Sequence, residues 1–176
     1  SVLYALDDRI VAAGPDDVIV TLVGADSTGR FSLDPECRRL AYISTEGDST
    51  TLVILDLVSL TPIKVTSAPV VAFFWSPDGS HLAALAALGN GIVQWLVIDG
   101  SDTRSLPPFR PTPRWARSVL QFFEQYAQSH TIWSNESTAL VAAAIDDEGR
   151  PGAAIHSVES PGDTQWIPDA ELVWWA

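Results

Sequence analysis

Methionine is absent from the sequence, and cysteine occurs once, as Cys37. A single cysteine excludes an internal disulfide, so the thiol says nothing about the compartment. Because no histidine lies near it in the sequence, we interpret Cys37 as an incidental residue at the edge of a turn. The chain begins with Ser1 and lacks an initiator methionine. We therefore expect a piece of a longer product, or a mature form whose signal has been removed.

Basic residues are also scarce, with 10 Lys and Arg against 22 Asp and Glu and a net charge of -12. Nucleic-acid binding needs a clustered positive field, so we expect no nucleic-acid partner. Asp-Asp pairs stand at 7–8, 16–17 and 146–147, beside predicted turns. They supply too few oxygens at loop spacing for a calcium site, and we interpret them as solubilising charge.

Long apolar runs and catalytic patterns are missing as well. No stretch of 18 uninterrupted apolar residues occurs, so no membrane-spanning segment is predicted. The sequence contains no Gly-x-Ser-x-Gly elbow, no phosphate loop and no dinucleotide fingerprint. The histidines His81, His130 and His156 have no partner at zinc-site spacing, and each is interpreted as a surface or internally bonded residue. We therefore expect a non-enzymatic chain with no catalytic residue, no metal site and no cofactor.

What the sequence does contain is a repeat. Three segments align: "LDPECRRLAYIS" (33–44), "WSPDGSHLAALA" (75–86) and "WSNESTALVAAA" (133–144). Each begins with an apolar anchor, continues through a polar turn and reaches a leucine seven residues later. The first two anchors, Leu33 and Trp75, are 42 residues apart, and Trp175 lies 42 residues after the third anchor, Trp133. This period is typical of a propeller blade once the units are interpreted as strands.

Each unit is predicted to contain four strands joined by hairpins. Short apolar runs alternate with clusters of Gly, Pro, Asp and Ser, which is the pattern of strands and turns. In the second unit, Pro77 presets φ, and Asp78 with Gly79 tolerates the left-handed geometry of a tight turn. Pro35 holds the equivalent position in the first unit. We interpret the anchors and these turn residues as structural.

The segment "WSPDGSHLAAL" resembles the repeat of the TolB-like (PD40, WD40-like) β-propellers, which also occurs in the propeller domains of prolyl oligopeptidases. The resemblance covers about residues 28–176. It is weaker in the first unit, where Leu33 replaces Trp and Cys37 replaces Gly. The resemblance implies an all-β chain of four-stranded antiparallel blades around a central channel. It also implies a bacterial, extracytoplasmic setting, either periplasmic or at the cell surface.

The two ends of the chain are predicted to complete the propeller. Three strands are expected near 2–6, 9–13 and 17–24, and the final segment "ELVWWA" matches an innermost strand. We predict one domain over 1–176 with about four blades, the fourth shared between the termini, because closure hides sheet edges. The alternatives are an arc of a larger propeller and a ring completed by a second chain. The oligomeric state is not predicted.

The third unit carries an insertion at about 107–128. Four prolines in seven residues predict an extended first half, followed by a short helix or none. Arginine together with aromatics is the composition of a partner-binding surface. The structural alternative is that the aromatics cap the channel while the arginines pair with the chain's own carboxylates. The candidate partner-binding residues are Arg104, Arg110, Arg114, Trp115, Arg117, Phe122, Phe123 and Tyr126.

Three functional hypotheses follow. In the first, the chain is a non-enzymatic propeller scaffold that binds a protein or peptide through the insertion. In the second, it is the substrate-gating propeller domain of a larger prolyl-oligopeptidase-like serine peptidase, whose catalytic domain lies outside this chain. In the third, the central channel binds a small ligand or ion. The third ranks lowest because the inner strands offer few inward carboxylates.

Overall fold

In the computed structural model, the chain divides into two compact units, Ser1–Ala68 and Pro69–Ala176. Every sheet in the described part of both units is antiparallel, which confirms the all-β fold with four-stranded propeller blades. A single domain over 1–176 stays a prediction. The structure describes residues 2–6, 9–14, 19–24, 27–100, 102–121 and 131–175.

The first unit contains one three-stranded sheet and one blade. The sheet consists, in spatial order, of β1 (Val2–Leu6), β2 (Arg9–Ala13) and β3 (Ile19–Val23). These are the three strands predicted near the N-terminus. The first blade consists, in spatial order, of β4 (Ser27–Leu33), β5 (Arg39–Glu46), β6 (Ser49–Asp56) and β7 (Thr61–Thr66).

The core of the first unit lies between this sheet and this blade. Ile10 of β2 is fully buried and belongs to one apolar cluster with Leu40 and Tyr42 of β5 and Val53 of β6. Burial of this apolar surface is the main stabilising contribution that the unit obtains from packing.

The second unit contains two blades and a short helical segment. The second blade consists of β8 (Val70–Trp75), β9 (Leu82–Gly89), β10 (Ile92–Asp99) and β11 (Asp102–Ser105). The third blade consists of β12 (Arg110–Pro111), β13 (Ala139–Ile145), β14 (Pro151–Ser157) and β15 (Thr164–Pro168). Between β12 and β13, the helix α1 (Pro113–Trp115) continues as a π-helical turn, Ala116–Leu120.

Burial follows strand position within these two blades. Residues 82–86 of β9 and 142–144 of β13 are almost completely buried, so side chains on both faces of each strand are covered. A strand covered on both faces is uniformly apolar rather than alternating, which explains the alanine-rich runs. The outermost strands β11 and β15 are exposed at every residue.

The three repeat turns share one hydrogen-bonding pattern. The residue after each anchor, which is Asp34, Ser76 or Ser134, is buried, and its backbone N–H donates to the carbonyl five residues later. Its side-chain oxygen accepts hydrogen bonds of 2.7–3.1 Å from backbone N–H groups at the end of the turn. Each side chain therefore satisfies buried donors that the turn leaves without a backbone acceptor.

A left-handed residue stands at the same place in all three turns, four positions after the anchor. Its φ is 55° at Cys37, 71° at Gly79 and 60° at Ser137. Only the second turn therefore has the glycine that this geometry favours. The predicted role of Gly79 is confirmed, and the departure at Cys37 carries a conformational cost.

We expect Cys37→Gly to raise the free energy of unfolding by about 0.5–1 kcal/mol, because it removes a left-handed penalty of about 1–2 kcal/mol but adds unfolded-state entropy. Cys37 is exposed, so little packing is lost. Gly79→Ala is the matched control and should lower stability by about 1–2 kcal/mol. Urea denaturation measures both. A destabilised Cys37→Gly variant would show that the thiol makes a contact worth more than the backbone strain.

The C-terminal segment does not add a strand to the three-stranded sheet. The backbone N–H of Trp175 donates to the carbonyl oxygen of Thr131 at 2.9 Å, and the Thr131 hydroxyl donates to the Trp175 carbonyl oxygen at 2.7 Å. The predicted fourth blade shared between the termini is therefore corrected. The third repeat, not β1–β3, satisfies the backbone groups of Trp175.

Candidate partner-binding surface

The insertion interrupts the innermost strand of the third blade. Arg110 and Pro111 pair with one end of β13, opposite Ile145 and Ala144. At the other end of β13, Trp133 forms a bridge with Leu140. The inner edge of β13 is thus covered by two separate pieces of chain. The insertion leaves the sheet after the first piece and returns to it at the second.

The helical segment begins where the proline-rich stretch ends, as predicted. Thr112 is buried, and its hydroxyl oxygen accepts from the backbone N–H of Trp115 at 3.1 Å. Pro113 occupies the first helical position, where its missing N–H costs nothing. The Thr112 hydroxyl also donates to the carbonyl oxygen of Glu171 at 2.7 Å, which ties the start of the helix to the C-terminal segment.

Trp115 lies in the core instead of on an exposed partner surface, which corrects the sequence-based prediction. Its side chain is fully buried, and its ring centroid lies 6.5 Å from that of Trp95 and 6.3 Å from that of Phe109. Val119, one turn later, is also buried. These contacts anchor the insertion between the second and third blades. The predicted site residues Phe122, Phe123 and Tyr126 lie outside the described residues.

Three of the predicted arginines gather at one end of the second and third blades. We call it the hairpin end, because the β9–β10 hairpin (89–92) and the β13–β14 turn (146–150) lie there. Arg110 donates from Nη1 to the carbonyl oxygen of Asn90 at 3.0 Å. Arg114 and Arg117 line one surface depression of about 280 Å³.

Arg104 lies at the opposite end. Its Nη1 donates to the carbonyl oxygen of Val158 at 3.3 Å, just beyond the last residue of β14. The four arginines that are close in sequence therefore do not form one surface. The structure separates Arg104 from Arg110, Arg114 and Arg117.

The internal contacts of the hairpin-end arginines are weak. Arg114 approaches Glu171 at 3.7 Å, and both side chains are about 60% exposed. Exposed pairs of this kind contribute about 0–1 kcal/mol. Arg117 is exposed and has no ion-pair partner within the part of the chain that the structure describes. Trp174, which is 46% exposed, lines a neighbouring depression together with Arg114. Arginine and exposed tryptophan in one place are typical of interface hot spots.

His156 is a buried group whose setting the sequence did not reveal. Its side chain is 2% exposed, its Nδ1 lies 3.2 Å from the Thr164 hydroxyl, and its ring centroid lies 5.3 Å from that of Phe109. Burial lowers the pKa of His156 to about 4, so the imidazole is neutral at pH 7. Alternation along β14 places His156 on the same face as Ala154 and Gly152, and this was the available sequence signal.

Comparisons with known proteins bear on the fold. No family model matches the chain, and no curated protein matches it. Among solved structures, TolB from Acinetobacter baumannii is similar at 16% identity and a TM-score of 0.56, over 94% of this chain and 40% of that one. The chain has the fold of a TolB-like β-propeller. A putative TolB from Agrobacterium tumefaciens is 12% identical with a TM-score of 0.58, over 96% of this chain and 57% of that one.

A peptidase also carries TolB-like blades of this kind. The acylaminoacyl peptidase of Pyrococcus horikoshii is 14% identical with a TM-score of 0.61, over 93% of this chain and 28% of that one. The chain thus spans between about a quarter and three fifths of the lengths of these three proteins. Within the described residues, no helix is long and apolar enough to cross a membrane. The same residues contain no group of three side chains suited to hold a metal ion.

Proposed function

We propose that this chain is a non-enzymatic β-propeller scaffold that binds a protein or peptide partner at the hairpin end, through Arg110, Arg114 and Arg117. One observation carries the proposal. A chain with a net charge of -12 presents three exposed guanidinium groups at one end of two adjacent blades, held only by a backbone carbonyl and a weak exposed ion pair.

The chemistry of these side chains favours a partner with exposed carboxylates. A guanidinium group binds a carboxylate through two parallel hydrogen bonds, and such charge-assisted bonds are stronger than neutral ones. The acidic remainder of the chain repels a negatively charged partner, so the arginines also fix where that partner approaches. The insertion is anchored in the core by Trp115, so Arg114 and Arg117 are presented on a rigid base. Rigid presentation reduces the entropy lost on binding.

A second candidate is the substrate-gating propeller of a larger serine peptidase. The similarity to the acylaminoacyl peptidase over 93% of this chain favours it. In this case a catalytic domain elsewhere in the parent chain performs the hydrolysis, and the blades select substrates. For both candidates we propose an extracytoplasmic location, supported by the TolB-like fold. A ligand or ion in a central channel is the third candidate.

The triple variant Arg110→Glu, Arg114→Glu and Arg117→Glu is expected to lose partner capture from native cell envelope. The recovery of the companion, quantified by mass spectrometry, should fall by about tenfold or more, because three favourable pairs become repulsive. The melting temperature should stay within about 2 °C, since exposed pairs contribute little. Arg104→Glu, at the opposite end of the blades, is the matched control and should capture the partner normally.

Each other outcome has one meaning. Normal capture by the triple variant would place the partner site elsewhere on the chain. Unfolding of the triple variant would show that the arginines stabilise the fold. The same experiment reports the mass of the parent chain, and peptides from a hydrolase domain within it would favour the gating function over the scaffold.

A further inference from the structure

A groove of about 570 Å³ lies between the second and third blades. One wall begins at Phe109, which pairs with Val93 of the second blade, and the next residue, Arg110, pairs with Ile145 of the third. The chain therefore crosses from blade to blade along this wall. The other wall is formed by β14 and β15 and by the turn after β13.

Arg110 places a positive charge at the rim of the groove. One Nη1 hydrogen bond to the Asn90 carbonyl oxygen holds the guanidinium, which leaves its other N–H groups for a ligand. Among the described residues, no carboxylate lies within ion-pair distance of Arg110. A bound carboxylate would therefore not have to displace an existing partner.

Asp147 places a negative charge at the same groove. Its neighbour Asp146 is already occupied, since it accepts from Arg150 through Nε and Nη2 at 2.8 Å and from two backbone N–H groups in its own turn. Asp147 is exposed, lines the groove and has no ion-pair partner in the described part of the chain. The groove thus contains one uncommitted charge of each sign, and the two charges do not pair with each other.

The floor between these charges is aromatic and uncharged at neutral pH. Phe109 packs against the neutral ring of His156, and Trp166, which is 38% exposed, forms part of the side wall. A Cβ at Gly152 would overlap the Trp166 ring, so the glycine allows the indole to lie against the β14 backbone. An exposed indole face attracts both apolar groups and cations.

We propose that this groove binds a short peptide whose ammonium and carboxylate groups are both free. Arg110 binds the carboxylate, Asp147 and the face of Trp166 receive the ammonium, and an apolar side chain packs on the Phe109 floor. The volume lies within the range of about 300–1,000 Å³ that is usual for small-molecule sites. This site goes beyond the proposed partner surface, with which it shares only Arg110.

Isothermal titration calorimetry with the dipeptide Ala-Phe tests the proposal. Wild-type protein should bind Ala-Phe about tenfold more tightly than either acetyl-Ala-Phe or Ala-Phe amide, because each blocked terminus removes one charge-assisted contact. Arg110→Gln should remove the preference for the free carboxylate, and Asp147→Asn the preference for the free ammonium. Glu148→Gln is the matched control, since Glu148 lies in the same turn without lining the groove.

Two results would overturn the proposal: no binding of Ala-Phe at millimolar concentration, or equal affinity for the free and the blocked peptides. The melting temperature of each variant verifies folding, and Trp166→Phe keeps an aromatic wall if larger changes do not fold. The double variant Arg114→Glu and Arg117→Glu separates the two sites. It should bind Ala-Phe like the wild type while its partner capture falls, so either proposal can fail without the other.

Discussion

Trp115→Ala is expected to lower the free energy of unfolding by about 3–5 kcal/mol, the usual cost of truncating a buried tryptophan. The side chain is fully buried between Trp95 and Phe109 and packs edge-on to both rings. Its removal leaves a cavity where the insertion meets the second and third blades. The loss is a large fraction of the stability of an ordinary domain, so the unfolding midpoint in urea should shift strongly.

Trp115→Phe is the matched control and should cost about 1–2 kcal/mol, because much of the apolar volume is kept. The indole Nε1 has no hydrogen-bond partner among the described residues, so no hydrogen bond is lost. Arg117→Ala, in the same helical segment but exposed, should change stability by less than about 0.5 kcal/mol. If Trp115→Ala were as mild as Arg117→Ala, the insertion would be an appended loop and not part of the core.

Acidification from pH 6.5 to pH 4 is expected to destabilise the protein through His156. Burial lowers the pKa of His156 from 6.5 to about 4. Between these values the unfolded chain binds a proton that the folded chain does not, so stability falls as the pH falls. Each unit of pKa difference corresponds to about 1.4 kcal/mol, and the loss should approach about 3 kcal/mol near pH 4.

Urea denaturation at several pH values measures this loss, and His156→Gln is the control because its side chain stays neutral. The variant should show a nearly flat dependence between pH 6.5 and pH 4. Carboxyl groups do not mimic the effect. Hydrogen bonds from the Arg150 backbone and side chain lower the pKa of Asp146 despite partial desolvation, so its stabilising contribution is lost only below about pH 4. An unchanged slope in His156→Gln would assign the acid sensitivity to other groups.

Most of the fold could be predicted from the sequence, because its signals are local. The anchors Leu33, Trp75 and Trp133 each end an inner segment that pairs with the leucine seven residues later, as the repeat indicates. Strands near 2–6, 9–13 and 17–24 were predicted, and β1–β3 occupy nearly the same positions. Hairpin turns and strand periodicity depend on neighbouring residues, so they are visible before the chain folds.

The candidate site was predicted less completely, since its members are distant in sequence. Composition grouped Arg104 with Arg110, although the two residues stand at opposite ends of the blades. It also grouped Trp115 with the arginines, although the indole is buried and the guanidinium groups are exposed. The groove depends on Asp147 and Trp166, which reach Arg110 only when the third blade packs beside the second.

The sequence by itself determined that the chain is all-β, that its units repeat about every 42 residues and where its turns fall. Turn chemistry and apolar spacing are sufficient for these features, because each acts within a few residues. Only the tertiary structure decided that Trp115 anchors the insertion, that Trp175 pairs with Thr131 and that His156 is buried beside Phe109. Those outcomes depend on long-range packing, in which one side chain's environment is set by residues dozens of positions away.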